Sequence, residues 1–208
     1  YLHRQNGAMT TAVRVAYTLE QCWHRVPGGT ATAALEVARA LAARTDVELV
    51  GVAGRHASPP AAAFAPPVPM QQLPVAAPWL YEGWLRAGWP RVERATGAVD
   101  VAHATTIIPC PSRAPLVVTL HDLAFLHDPA HFTAHGVRVF RRSLDLIRRR
   151  AALVLCSSGA TMADAVDAGI SVDRLRHVPL GVDALPVAHG EAERVRTAFG
   201  LPDRFVLF

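Results

Sequence analysis

Short apolar runs alternate with stretches of helical periodicity along most of this chain. Val13 to Tyr17 (VRVAY) is a compact apolar run and predicts a buried strand. After the loop TLEQCWHRVPGG, the segment TATAALEVARALAAR carries Ala34, Val37, Ala38 and Leu41 at helical spacing, with Gly29 or Thr30 near its cap. Val47 to Ala53 (VELVGVA) predicts a second buried strand. A strand, a helix and a strand in such short order make a βαβ unit, whose crossover is right-handed in nearly every case.

Residues 58–78 are rich in proline and alanine, which excludes a regular helix or a central strand and predicts a long connection. WLYEGWLRAGWPRVERATG reads as helical at both ends, with Pro90 kinking or restarting it. Val99 to His103 (VDVAH) and PLVVTL read as strands. Val137, Phe140, Leu144, Ile147 and Ala151 repeat at alternating spacings of three and four, the pattern of an amphipathic helix. ALVLC is the next strand, SSGATMADAVDAG a short helix capped by Ser158 and ended by Gly169, and LRHVPLGVD the last strand. No internal repeat is present.

This alternation predicts an α/β fold: a Rossmann-like open, mostly parallel sheet with helices on both faces. Ligands of such sheets bind at the carboxyl ends of the strands. The sequences at those ends are Gly28-Gly29, His103-Ala104-Thr105, His121-Asp122, Ser157-Ser158 and Leu180-Gly181-Val182-Asp183. An imidazole beside a carboxylate has little use inside a sheet, so His121 and Asp122 are expected just beyond it, in a crevice.

Composition narrows the partners. With 208 residues, 51% of them hydrophobic and 18% charged, the chain can bury a core. The formal net charge is +4 and the strong cations are all arginine, since the sequence contains no lysine. That balance suits phosphates or an anionic membrane surface. The arginine-dense stretch (Arg138, Arg141, Arg142, Arg148, Arg149 and Arg150) has no interleaved aromatic pattern, so no nucleic-acid partner is expected. Either it is a solvated helix face or it meets anionic lipid or phosphate. Trp79, Leu80, Trp84, Leu85 and Trp89 would form an interfacial helix or pack against the sheet edge with one tryptophan exposed. Cys22, Cys110 and Cys156 are widely spaced and read as reduced cytoplasmic thiols. No apolar run approaches the ~20 residues of a membrane span. The first eight residues, YLHRQNGA, precede Met9 and are expected to be a leader outside the fold.

Among the strand-end groups, Gly28-Gly29 are either an anion-binding helix entry or a tight turn. They do not complete G-x-G-x-x-G, and no G-K-[ST] exists, which counts against a nicotinamide-dependent enzyme and excludes a P-loop. His121 is either a base or hydrogen-bonding group oriented by Asp122, or a core histidine bonded to a backbone carbonyl. Ser157 and Ser158 lack the G-x-S-x-G elbow of a serine hydrolase. Of His103, His121, His127, His131 and His135, only His127/His131 and His131/His135 have helical ligand spacing, and Pro129 interrupts that run. No metal and no cofactor is expected.

The segments VPGGTATAALEVARALAAR, VDVAHATTIIPCP, PLVVTLHDLAFLHDPAHF, LVLCSSGATMADAVDAG and LRHVPLGVD, in this order, resemble glycosyltransferase family 4, retaining enzymes of the two-domain GT-B fold. The resemblance runs from Val13 to Phe208. It implies the N-terminal, acceptor-side half of that fold over 9–185. Residues 186–208 would be a linker and the first strand of a missing donor-binding domain, and the E-x7-E signature of that domain is absent here. The implied activity is transfer of a hexose from a nucleotide-diphosphate sugar to an acceptor, with the chain inactive alone. His121 and Asp122 match the catalytic pair beside the reacting sugar. Gly28, Gly29, His103, Thr105, Ser157, Gly181 and Asp183 are the expected substrate or phosphate contacts, and Leu180 stands where the family usually has asparagine. A cytoplasmic location and peripheral contact with an anionic membrane go with this reading. The alternative is a non-catalytic module that binds a sugar or phosphorylated ligand.

Overall fold

The first apolar run becomes a strand, β1 (Val13–Thr18), in the computed structural model, which describes residues 12–182, 187–202 and 204–206. Helix α1 (Gly28–Ala42) leads to β2 (Val47–Ala53), completing the expected βαβ unit. The proline-rich connection contributes an edge strand, β3 (Met70–Gln72), which pairs only with β2. An edge is where neighbouring prolines do not break a ladder. Helix α2 (Trp79–Glu82) runs into a π-helical turn over Gly83–Ala87, and α3 (Glu93–Thr96) follows Pro90. Then come β4 (Val101–Ala104), β5 (Leu116–Leu120), α4 (Ala124–His127) and α5 (Ala134–Arg150). The series continues with β6 (Ala151–Cys156), α6 (Gly159–Asp167), β7 (Leu175–His177) and α7 (Glu191–Phe199).

All seven strands are parallel, in the order β3-β2-β1-β4-β5-β6-β7. From β1 the chain steps one way to β2, and from β5 it steps the other way to β6. Right-handed crossovers therefore put α1 and α5 on opposite faces. The cores agree: Ala16, Val118 and Val154 pack with Leu80, Trp84, Leu144 and Ile147, while Tyr17 and Leu49 pack with Ala31, Ala34, Leu35 and Ala38 of α1. On the α1 side of β5 and β6, Val117, Thr119, Leu153 and Leu155 stay only half-buried. That uncovered strip becomes the floor of the candidate site.

Caps fall where the sequence placed them at α6. Ser158 Oγ accepts from the Thr161 N–H at 3.0 Å, and Gly169, at φ +85°, turns the chain after the helix. Within residues 186–208 the chain forms α7, and Phe205 and Val206 are exposed. Two expectations need correction. The last strand ends at His177, not Asp183: the Val178 N–H bonds the Cys156 carbonyl, and β6, its sole neighbour in the sheet, itself ends at Cys156, so the following residues have no ladder to continue. Two tryptophans are exposed rather than one, Trp79 and Trp89, while Trp84 is buried and donates its indole N–H to the Pro90 carbonyl at 2.9 Å. Asp183 and residues 1–8 lie outside the described residues.

Candidate functional site

Parallel pairing sets a row of side chains on one face of the sheet. Tyr17 is in register with His103, and Thr119 with Leu155, so all four face α1. With His121 they floor a cleft of about 480 Å³. One wall is the first turns of α1, including Gly29, Thr32 and Val37, and the other is Val178–Gly181. The cleft thus forms where the sheet architecture predicts a ligand.

His121 is the first residue beyond β5. Its Nε2 lies 3.2 Å from the Thr105 carbonyl oxygen. A carbonyl can only accept, so Nε2 carries the proton and Nδ1 is the free ring atom, an acceptor in the neutral imidazole. The main chain at His121 is also held: its carbonyl accepts from Ser157 Oγ at 2.6 Å and Thr161 Oγ1 at 3.1 Å. Asp122 does not orient His121. It is exposed, and its Oδ1 accepts from the Ala124 N–H at 3.0 Å, capping the turn into α4. His121 thus bonds a backbone carbonyl, as one reading expected, and also lines the cleft.

Thr105 fixes the strand ends together. Its N–H donates to Thr18 Oγ1 at 3.1 Å, its hydroxyl donates to the Thr18 carbonyl at 2.6 Å, and Gln21 Nε2 donates to that hydroxyl at 2.7 Å. All three residues are buried. Thr105 and Ser157 therefore hold the site's backbone, with their hydroxyls engaged internally.

His103 is nearly as buried. Its Nε2 bonds Thr119 Oγ1 at 2.9 Å, and its ring meets Tyr17 edge-on at 5.0 Å between centroids. Desolvation pushes its pKa down to about 4, so it is neutral at physiological pH. Burial likewise raises the Tyr17 phenol above its usual range, and the hydroxyl donates to the Ala34 carbonyl at 3.0 Å, fastening α1 to the sheet.

Gly28 and Gly29 are the first two residues of α1 rather than a loop before it. Gly28 has φ +63°, and a Cβ on either glycine would meet nothing within 4 Å. Among the described residues no side chain caps this helix start, and Gly29 lines the cleft. Gly181 closes the far wall.

Sequence reasoning missed Tyr17, Thr119 and the support behind them. Thr119 carried a signal, a polar residue inside PLVVTL. Glu20 did too: it is buried, accepts from the Gly54 N–H at 2.6 Å, and lies 3.1 Å from His56 Nε2. Trp23 stacks on His56 at 4.6 Å, tying the loop after β1 to the end of β2. Among the described residues no three His, Cys, Asp or Glu side chains are grouped to hold a metal, and His127 and His131 are engaged with Asp164 and Asp128. No described helix is long and apolar enough to cross a membrane.

The chain matches the family model for Glycosyltransferase Family 4 over residues 27–184. No curated protein matches it. Among solved structures it is similar to HepE of Anabaena in complex with UDP and glucose: TM-score 0.53, 19% identity, 90% of this chain and 50% of that one covered. Against HepE in complex with UDP-glucose the TM-score is 0.55 at 19% identity, covering 92% of this chain and 51% of that one. At such identity the likeness is one of fold, and the chain spans about half the length of these structures. The family match takes in α1, the strand ending in His121-Asp122 and the segment that walls the cleft: this chain belongs to glycosyltransferase family 4.

Proposed function

We propose that this chain is the acceptor-side domain of a retaining hexosyltransferase that moves a sugar from a nucleotide-diphosphate sugar to an acceptor hydroxyl. The observation that carries the reading is the His121 imidazole in the cleft, with Nε2 tied to the Thr105 carbonyl and Nδ1 left for a ligand. Retention requires the acceptor oxygen and the departing phosphate on one face of the sugar. A fixed Nδ1 can accept from a sugar hydroxyl and hold it there, and orientation of this kind contributes on the order of several kcal/mol. The uncapped first turn of α1, with Gly28 and Gly29 free of side chains, would place N–H donors near a diphosphate. Asp122 then acts through the backbone, by setting the chain's exit from β5. HepE, seen with UDP and with UDP-glucose, supports a nucleotide sugar as donor.

On this reading the donor is held by a second domain, and the chain assayed alone transfers no sugar. We place the protein in the cytoplasm, a reading supported by three free, buried cysteines. Calorimetric titration of this chain with UDP, UDP-glucose and glucose 1-phosphate tests the reading. Weak or absent binding, with turnover only when a donor-binding domain is supplied, supports the transferase half. Tight, selective binding by the chain alone favours a non-catalytic ligand-binding module.

A further inference from the structure

The cleft at the strand ends offers a ligand few free polar groups. Of the polar side chains that line it, Tyr17, Thr32, Glu36, His103, Thr105 and Thr119 each have a partner within the protein. Tyr17 and Thr32 donate to the Ala34 and Gly28 carbonyls at 3.0 and 3.4 Å, and Glu36 pairs with Arg39. His103 and Thr119 bond each other, and the Thr105 hydroxyl donates to the Thr18 carbonyl. His121 differs from all of them. Its Nε2 is held by the Thr105 carbonyl, while Nδ1 has no partner among the described residues.

The rest of the lining is largely carbon. Ala33 and Val37 of α1 stand on one wall, Val178, Pro179 and Leu180 on the other, and Leu155 on the floor between them. Val37, Val178 and Leu180 are all exposed, so large apolar side chains gather about one concave site, which is the mark of a place that receives an apolar surface. Both walls are fixed to the sheet. The Val178 N–H bonds the Cys156 carbonyl at 2.8 Å, and the Tyr17 hydroxyl fastens α1.

We propose that the acceptor received in this cleft is a small apolar molecule bearing one hydroxyl, a phenol or an alicyclic alcohol, rather than a sugar. The proposal rests on the transfer reading and narrows the hydroxyl held by His121 Nδ1 to that of an apolar acceptor. The hydrogen-bond inventory selects this class. A sugar brings several hydroxyls, and each one that leaves water without a partner opposes binding. The cleft gives Nδ1 to one of them and carbon to most of the others. A single hydroxyl on an apolar skeleton leaves none unpaired and takes Val37, Leu155, Val178 and Leu180 out of water. Charge agrees: Glu36 is the one charged side chain in the lining, so a phosphorylated acceptor would meet an acid and no side-chain cation. Size agrees too, since about 480 Å³ lies within the roughly 300–1,000 Å³ of small-molecule sites.

The test is ligand-observed NMR titration of this chain with naphthol, naphthalene and methyl glucoside, with no nucleotide present. We expect naphthol to bind, naphthalene to bind about fivefold more weakly for want of one hydrogen bond, and methyl glucoside not to bind. His121→Ala should bring naphthol down to the affinity of naphthalene and leave naphthalene unchanged. Leu180→Asn should weaken both aromatic ligands alike, by about threefold to tenfold. Leu180 is exposed, so that variant should unfold at an unchanged temperature; if it fails to fold, the three-ligand comparison on the unaltered chain and on His121→Ala decides. Tighter binding of methyl glucoside than of naphthol overturns the proposal, and so does the absence of binding by either aromatic ligand. Equal affinity for naphthol and naphthalene, with no response to His121→Ala, overturns it as well and would mark an apolar surface that another protein segment covers. Failure of the transfer reading looks different. The ligand profile would then be as expected while the protein supplied with a donor-binding domain transfers sugar to no acceptor, which would leave the ligand class standing.

Discussion

The proton on His121 is placed by a residue sixteen positions away, since the Thr105 carbonyl accepts from Nε2 and leaves Nδ1 to the cleft. Its neighbour along the row, His103, behaves oppositely: buried and bonded to Thr119, it resists protonation. The consequence for stability has a definite sign. The folded pKa of about 4 lies below the ordinary 6.5, so between these values the unfolded chain binds more protons and stability falls as pH falls. The loss should begin near pH 6.5, reach on the order of 3 kcal/mol by pH 4 and then level off. Urea unfolding across this range should show that slope, and His103→Gln should flatten it; an unchanged slope in the variant would remove His103 as its source.

At the scale of elements, the site depends on how β1 and β4 end. Thr18, Gln21 and Thr105 form a buried hydrogen-bonded knot directly behind His121. Thr105→Val keeps the shape but leaves the Thr18 carbonyl and the Gln21 amide without that partner, so it should cost about 2 kcal/mol by chemical denaturation. The start of α1 makes a second demand. Gly28 holds φ +63°, where a side chain strains the backbone even in open space, and Gly28→Ala should destabilise by about 1 kcal/mol. A neutral or stabilising result would contradict the left-handed helix start. What was legible here was local: the βαβ unit, the Ser158 cap, the amphipathic face of α5 and the position of His121 at a strand end. What was not legible depended on register between strands. Nothing next to Asp122 in sequence shows that its carboxylate turns to the Ala124 N–H, and nothing next to His121 announces Thr105. The shortened β7 belongs with these, because it stops where its partner β6 stops, at Cys156. The alternative occupants of the cleft could not be separated by sequence pattern, since a hydroxyl acceptor and a phosphate call for the same glycines and imidazole.

Across the whole molecule, the sheet divides two kinds of surface. One face carries α1 and a cleft floored by Tyr17, His103, Thr119 and Leu155; the other carries α5, with the chain's surplus of positive charge. The division follows from the parallel strand order alone, because right-handed crossovers to either side of β1 and β4 must cover opposite faces. The account depends most on the cleft being the place of transfer. The measurement that tests this most directly is sugar transfer from a panel of nucleotide-diphosphate sugars by the protein supplied with a donor-binding domain, compared with His121→Ala, with thermal unfolding followed in parallel. The account predicts that His121→Ala lowers turnover by at least about a hundredfold, the scale of an orienting or acid–base group, while the unfolding temperature is nearly unchanged. Near-normal turnover in that variant would contradict it.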